Sequence, residues 1–206
     1  MKIVIVGPGA MGSLLAALLL KACRQAGKDE IWLLDYKKER SKEIAKTGLN
    51  IEGLSGNWQV NVKITTEINE IGPAELFIIC VKSYNTKQAI AEIKPLVKED
   101  SVVLTLQNGI GNVEIISEAI GSDKVVAGVT NLGATLISPG VIRYAGKGET
   151  AIGRMDGKMT VQMRSIRDTF NKSGIDTKIS RDIKSLLQCS GNDHIDLLSH
   201  HYWYQG

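Results

Sequence analysis

No hydrophobic run in this chain approaches the roughly 20 residues that a membrane-spanning helix needs; the longest is Leu14 to Leu20. That run follows a glycine-rich turn rather than a basic leader, so neither a membrane span nor a signal peptide is expected, and the sequence reads as cytoplasmic. Cysteine is scarce. Cys23, Cys80 and Cys189 are odd in number and widely spaced, which argues against a disulfide framework and a cysteine-rich zinc site; Cys23 and Cys80 read as small core residues. All three histidines, His194, His200 and His201, lie near the end of the sequence. The adjacent pair does not carry zinc-ligand spacing, so no metal site is expected.

There is also no block of one charge. Lys and Arg total 25 against 22 Asp and Glu, a net charge of +3, and the two signs are mixed along the chain. This leaves no nucleic-acid footprint, while mild basicity suits a small polyanion. No internal repeat occurs. With 43% hydrophobic residues, a chain of 206 residues buries one substantial core.

The strongest positive signal is at the start. Lys2-Ile3-Val4-Ile5-Val6, an apolar strand, breaks into Gly7-Pro8-Gly9-Ala10-Met11-Gly12 and then into a helix-forming run from Ser13 to Leu20. This is the first turn of a dinucleotide-binding βαβ unit. Gly7 allows the tight turn, Gly9 leaves room for a pyrophosphate, and Gly12 lets helix and strand pack closely. The free N–H groups and positive end of the helix then face the phosphates. A second apolar strand, Glu30 to Leu34, closes on Asp35, where an acidic residue ordinarily meets the adenosine ribose.

Further along, strand and helix signals alternate. Lys37 to Lys46 reads as a helix stopped at Gly48. Leu49 to Leu54 and Trp58 to Ile64 read as a hairpin around Ser55-Gly56-Asn57. Glu75 to Val81 is a continuous apolar strand of the kind buried on both faces. A helix (Thr86 to Val97), a strand (Ser101 to Leu106), a helix (Val113 to Ile120) and a strand (Lys124 to Val129) follow. The order predicts an α/β, Rossmann-type doubly wound, mostly parallel sheet. Thr135 to Ile137, Val141 to Tyr144 and Thr150 to Ile152 read as a few antiparallel strands added to it, Met159 to Lys172 as an amphipathic helix, and Ile175 to Ile179 as an edge strand.

Ligands of such sheets lie beyond the carboxyl ends of the strands. Two segments sit there: Val81-Lys82-Ser83-Tyr84 and Leu106-Gln107-Asn108-Gly109-Ile110-Gly111. Lys82 and Asn108 can bind a carboxylate and orient a carbonyl; they read equally as a solvated lysine and a turn.

Taken together, the glycine motif, Val81-Lys82-Ser83, Gln107-Asn108-Gly109-Ile110-Gly111, Gly128-Val129-Thr130 and Pro139-Gly140 resemble the ketopantoate reductase (2-dehydropantoate 2-reductase) family over residues 1–187. The resemblance implies NADPH-dependent reduction of a small 2-keto acid, 2-dehydropantoate, to pantoate, on the way to pantothenate and coenzyme A. It also implies that Lys82 and Asn108 sit beside the nicotinamide ribose and the substrate, with Asn108 orienting both. With the turn and the end of the second strand, the candidate cofactor contacts are Gly7, Pro8, Gly9, Ala10, Met11, Gly12, Asp35 and Lys37, to which the resemblance adds Lys82 and Asn108. On the choice of cofactor, Asp35 favours NAD, whereas Lys37, Lys38 and Arg40 can neutralise the 2′-phosphate of NADP. The family leans to NADP, which is the expected cofactor, with NAD as the alternative.

The family's general acid is a lysine in a Trp-x-Lys-Leu segment opening a C-terminal helical domain. Here Asp182-Ile183 reproduces the lead-in, but Gln188-Cys189-Ser190-Gly191 stands in place of the tryptophan and lysine. Lys184 reads as a solvated lysine on a terminal helix. Residues 1–187 are thus expected to form the NADP-binding domain and 188–206 a divergent tail in place of the helical domain. The sharp change reads as a reading-frame change or early stop. Two functional classes follow: a weak or inactive reductase, or a non-catalytic NADP(H)-binding remnant or interaction module. An uncovered apolar face would favour a homodimer.

Overall fold

A computed structural model of the chain describes residues 1–26 and 29–189. Strand β1 (Lys2–Val6) lies inside an eight-stranded sheet and is apolar on both faces. Successive side chains of a strand point to opposite sides, so Ile3 and Ile5 enter one core while Val4 and Val6 enter the other. Both faces need apolar cover, which the crossover helices supply.

Helix α1 (Ala10–Ala26) leads to β2 (Glu30–Leu34), which runs parallel to β1, and α2 (Lys38–Thr47) ends at Gly48. The chain then leaves the main sheet to make an antiparallel pair, β3 (Leu49–Gly53) and β4 (Trp58–Val60). It returns as β5 (Lys63–Thr65), parallel to β2. After α3 (Ile68–Ile71), the elements β6 (Ala74–Ile79), α4 (Thr86–Ile93), β7 (Val97–Thr105), α5 (Ile110–Ile120) and β8 (Val125–Thr130) extend the sheet on the other side of β1. All of these strands are parallel.

Next, β9 (Gly133–Ser138) and β10 (Val141–Gly146) pair antiparallel, and β10 runs parallel to β3. Strand β11 (Thr150–Gly153) returns to the main sheet antiparallel to β8. Helix α6 (Val161–Lys172) is capped by the Thr160 hydroxyl, which accepts the Met163 amide at 3.2 Å. It leads to edge strand β12 (Thr177–Ile179) and then to α7 (Ile183–Cys189). The sheets read β12-β11-β8-β7-β6-β1-β2-β5 and β4-β3-β10-β9. Strand order reverses at β1, and the crevice beyond its carboxyl end is a topological switch point.

The doubly wound sheet is as expected, with two corrections. Trp58 to Ile64 is not one hairpin arm: Trp58–Val60 stays with β3, and Lys63 and Ile64 cross to β2. Of the three late pieces expected on the main sheet, only β11 is there; β9 and β10 belong to the second sheet. The cause is α1, in which every residue from Ser13 to Leu19 is buried. A helix apolar all round needs cover on more than one side, and α1 packs against β1 and β2 and also against all four strands of the second sheet. Each fully buried leucine contributes about 1.5–3 kcal/mol, so a wet outer face on α1 would cost several times that. No described helix is long and apolar enough to cross a membrane.

Candidate functional site

The crevice is centred on the turn from β1 into α1. Gly7 has φ +100°, a conformation that glycine adopts without steric penalty. A Cβ on Gly12 would lie 2.2 Å from the Gly7 carbonyl oxygen and 3.2 Å from Cys80 Cβ, so only glycine lets α1 sit this close to the strand. Gly9 is different: a Cβ there would meet no atom within 4 Å. The protein's own packing does not require glycine at that position, and the open space suits a diphosphate. The Ser13 amide closes the first turn on the Gly9 carbonyl at 3.0 Å, and the amides preceding it have no acceptor within the helix. Pro8 is buried, and Ala10 and Met11 are half-buried around the same turn. These residues fit the diphosphate of a dinucleotide.

At the end of β2, Asp35 borders the same crevice, but its side chain is 0% exposed. Its Oδ1 accepts the amides of Tyr36 at 2.7 Å and Lys37 at 3.1 Å. Arg40 Nε donates to Oδ2 at 2.7 Å, and Arg40 Nη2 bonds Oδ1. The carboxylate is therefore taken up inside the protein by a bidentate, charge-assisted pair. Hydrogen bonding to Asp35 raises the Arg40 pKa above its ordinary value. Tyr36, Lys37 and Lys38 remain exposed, with Lys37 Nζ 5.6 Å from the Tyr36 ring centroid. The cleft wall opposite comes from α4 and the turn before it, at Asn85, Gln88 and Glu92. Burial, with Glu67 adding, raises the Glu92 pKa.

On the other side of β1, Lys82 is exposed after β6 and Asn108 is exposed before α5. Beneath them runs a buried polar network. Gln107 Nε2 donates to the Val81 carbonyl at 2.8 Å and to Thr86 Oγ1 at 2.9 Å. Thr86 Oγ1 donates to Asn112 Oδ1 at 2.9 Å, and Asn112 Nδ2 to the Asn108 carbonyl at 2.9 Å. Thr105 Oγ1 donates to Gln107 Oε1 at 3.0 Å. The peptides at Lys82 and Asn108 are thus tied together, while Asp35 and Lys37 stand across β1 from them. Sequence reasoning missed Thr86, Thr105 and Asn112. A hydroxyl closing the apolar strand at Thr105 was a faint signal; Thr86 and Asn112 are 26 residues apart and had none.

Cys80 lies under the turn, and burial pushes its thiol up to about 12. Lys184 is exposed on α7, as expected. Among the described residues no group of three or more metal-ligating side chains occurs; the histidines and residues 190–206 lie outside them.

Comparison with known proteins agrees with this geometry. The sequence model "Ketopantoate reductase PanE/ApbA" matches residues 3–157. The 2-dehydropantoate 2-reductase of Pyrococcus horikoshii is 39% identical over 183 residues, which is 89% of this chain and 57% of that protein. The crystal structure of 2-dehydropantoate 2-reductase from Geobacter metallireducens GS-15 has a TM-score of 0.80 at 30% identity, covering 90% of this chain and 60% of that one. D-mandelate dehydrogenase in its ternary structure with NADH and anilino(oxo)acetate has a TM-score of 0.83 at 25% identity, covering 92% and 60%. The chain spans 57–60% of the length of these three relatives. Because the matched stretch runs from β1 past both loops, through the cradle, the buried acid and the polar network, the chain belongs to the ketopantoate reductase PanE/ApbA family.

Proposed function

We propose that the chain binds NADP(H) and acts on a small 2-keto acid, 2-dehydropantoate, as the cofactor-binding unit of a 2-dehydropantoate 2-reductase. The observation that carries this reading is an open cradle at Gly9 beside two tied loops bearing Lys82 and Asn108, in a chain of this family. NADPH, when bound, supplies a hydride to the keto carbon. Lys82 offers an ammonium that binds the substrate carboxylate and favours the charge developing on the carbonyl oxygen. Asn108 offers a carboxamide that orients the carbonyl and the ribose.

NADP is favoured over NAD because Arg40 neutralises Asp35, while Lys37 stays exposed beside it for a 2′-phosphate; Lys38 is exposed as well, 3.6 Å from Glu67 Oε1. Residues 1–187 form the cofactor domain on this reading. Gln188-Cys189-Ser190-Gly191, in place of the family's Trp-x-Lys-Leu, lacks its general acid. Losing such a group costs about 10²- to 10⁴-fold, so turnover is slow. The same four residues favour a second reading, a module that holds NADP(H) without turning it over.

Calorimetric titration with NADPH and NADH, followed by NADPH absorbance with ketopantoate present, tests both readings. Tight NADPH binding with slow ketopantoate-dependent oxidation is expected; binding without oxidation selects the second reading, and absence of binding removes both.

A further inference from the structure

Thr86 and Thr105 are 0% exposed, Asn112 6% and Gln107 8%, so the network beneath the two loops is a buried polar one. Burying such groups costs about as much as their hydrogen bonds return. Apolar side chains of the same shape would hold the loops with comparable stability. What the polar version adds is direction. The Thr105 hydroxyl donates to Gln107 Oε1, which leaves the two hydrogens of Gln107 Nε2 for the Val81 carbonyl and Thr86 Oγ1. The Thr86 hydroxyl hydrogen then goes to Asn112 Oδ1, so that Asn112 Nδ2 faces the Asn108 carbonyl. Each bond sets the sense of the next. The two ends of the relay are the peptide preceding Lys82 and the peptide of Asn108.

The order of strands says which part of a ligand this frame serves. The adenosine end belongs to the β2 side and the diphosphate to the cradle at Gly9. The remainder of a dinucleotide then crosses β1 to lie over β6 and β7. We infer that Gln107, Thr86 and Asn112 are positioning residues that hold Lys82 and Asn108 in one frame, shaped for the nicotinamide half of the cofactor. This rests on the reading of the crevice as a dinucleotide site.

The test compares Thr86→Val with Thr86→Ser in the full chain, titrating each with NADPH and with adenosine 2′,5′-bisphosphate, which lacks the nicotinamide together with its ribose and phosphate. The valine leaves Gln107 and Asn112 each short of one partner. It should weaken NADPH about tenfold and leave adenosine 2′,5′-bisphosphate within about twofold, and the serine, which keeps the hydroxyl, should restore NADPH. Equal weakening of both ligands, or undiminished NADPH binding by the valine variant, overturns the inference. Should Thr86→Val not fold, Asn112→Ser carries the same expectation. A parent chain that binds neither ligand ends the dinucleotide reading itself and this inference with it; a parent that binds both with no split in the variants ends this inference alone.

Discussion

On the β2 side of β1, the crevice is made by residues close together in sequence: the glycines of one turn, and Asp35 clamped by Arg40 five positions later. On the β6 side, its walls are joined by side chains 21 and 26 residues from their partners. The first half follows from local backbone sterics and a short-range ion pair. The second depends on β6 and β7 lying side by side. A local frame is robust to distant change, while a frame of long reach can be loosened on its own.

Four substitutions probe this contrast, in order of expected effect. Gly12→Val puts a Cβ against the Gly7 carbonyl oxygen and should cost about 3 kcal/mol or more in urea unfolding, with NADPH binding lost as well. Arg40→Met leaves Asp35 buried without its cation. Breaking a fully buried pair costs about 3–5 kcal/mol; with Arg40 19% exposed, about 2–3 kcal/mol is expected. The preference for NADPH over NADH should fall about tenfold in parallel titrations, a change of about 1.4 kcal/mol. An unchanged ratio would mean that the clamp has no part in cofactor choice.

Gly9→Ala separates ligand room from packing. Its methyl meets no protein atom, so the midpoint of unfolding should move by no more than about 0.5 kcal/mol, while NADPH affinity falls about tenfold. A matching loss of stability would make Gly9 a packing glycine like Gly12. The smallest effect is expected from Glu92→Gln in the cleft wall. Burial raises this carboxyl's pKa, so its favourable contribution is complete below the unfolded value and is lost as pH rises through the folded one. The glutamine variant should therefore gain stability only above that range. Since solvent screens a partly exposed carboxylate, the gain should stay within about 0.5 kcal/mol at neutral pH.

The elements legible in the sequence were those that carry their own signal. The run from Lys2 to Gly12 held strand, turn and helix start together, and the apolar stretch ending at Ile79 could only be an interior strand. The second sheet was not legible. Nothing local in Thr135 to Ile137 distinguishes an addition to the main sheet from cover for α1; the all-round burial of α1 decided it. Asp35 was found at its expected place, but two opposed readings fitted the letters around it. Only the folded positions show Arg40 turning back to take the carboxylate. Thr86 read only as the start of a helix and Asn112 fell between the expected loop and the next helix, until the packing of α4 against α5 brought them to 2.9 Å.

By itself the sequence determined the glycine turn between β1 and α1, the alternation of strands and helices and the two loops with Lys82 and Asn108, because glycine sterics and hydrophobic period act between near neighbours. Tertiary structure alone decided which strands cover α1, where the charge of Asp35 goes, and how the two loops are tied. Those outcomes depend on strand order, which brings together groups that the chain keeps far apart.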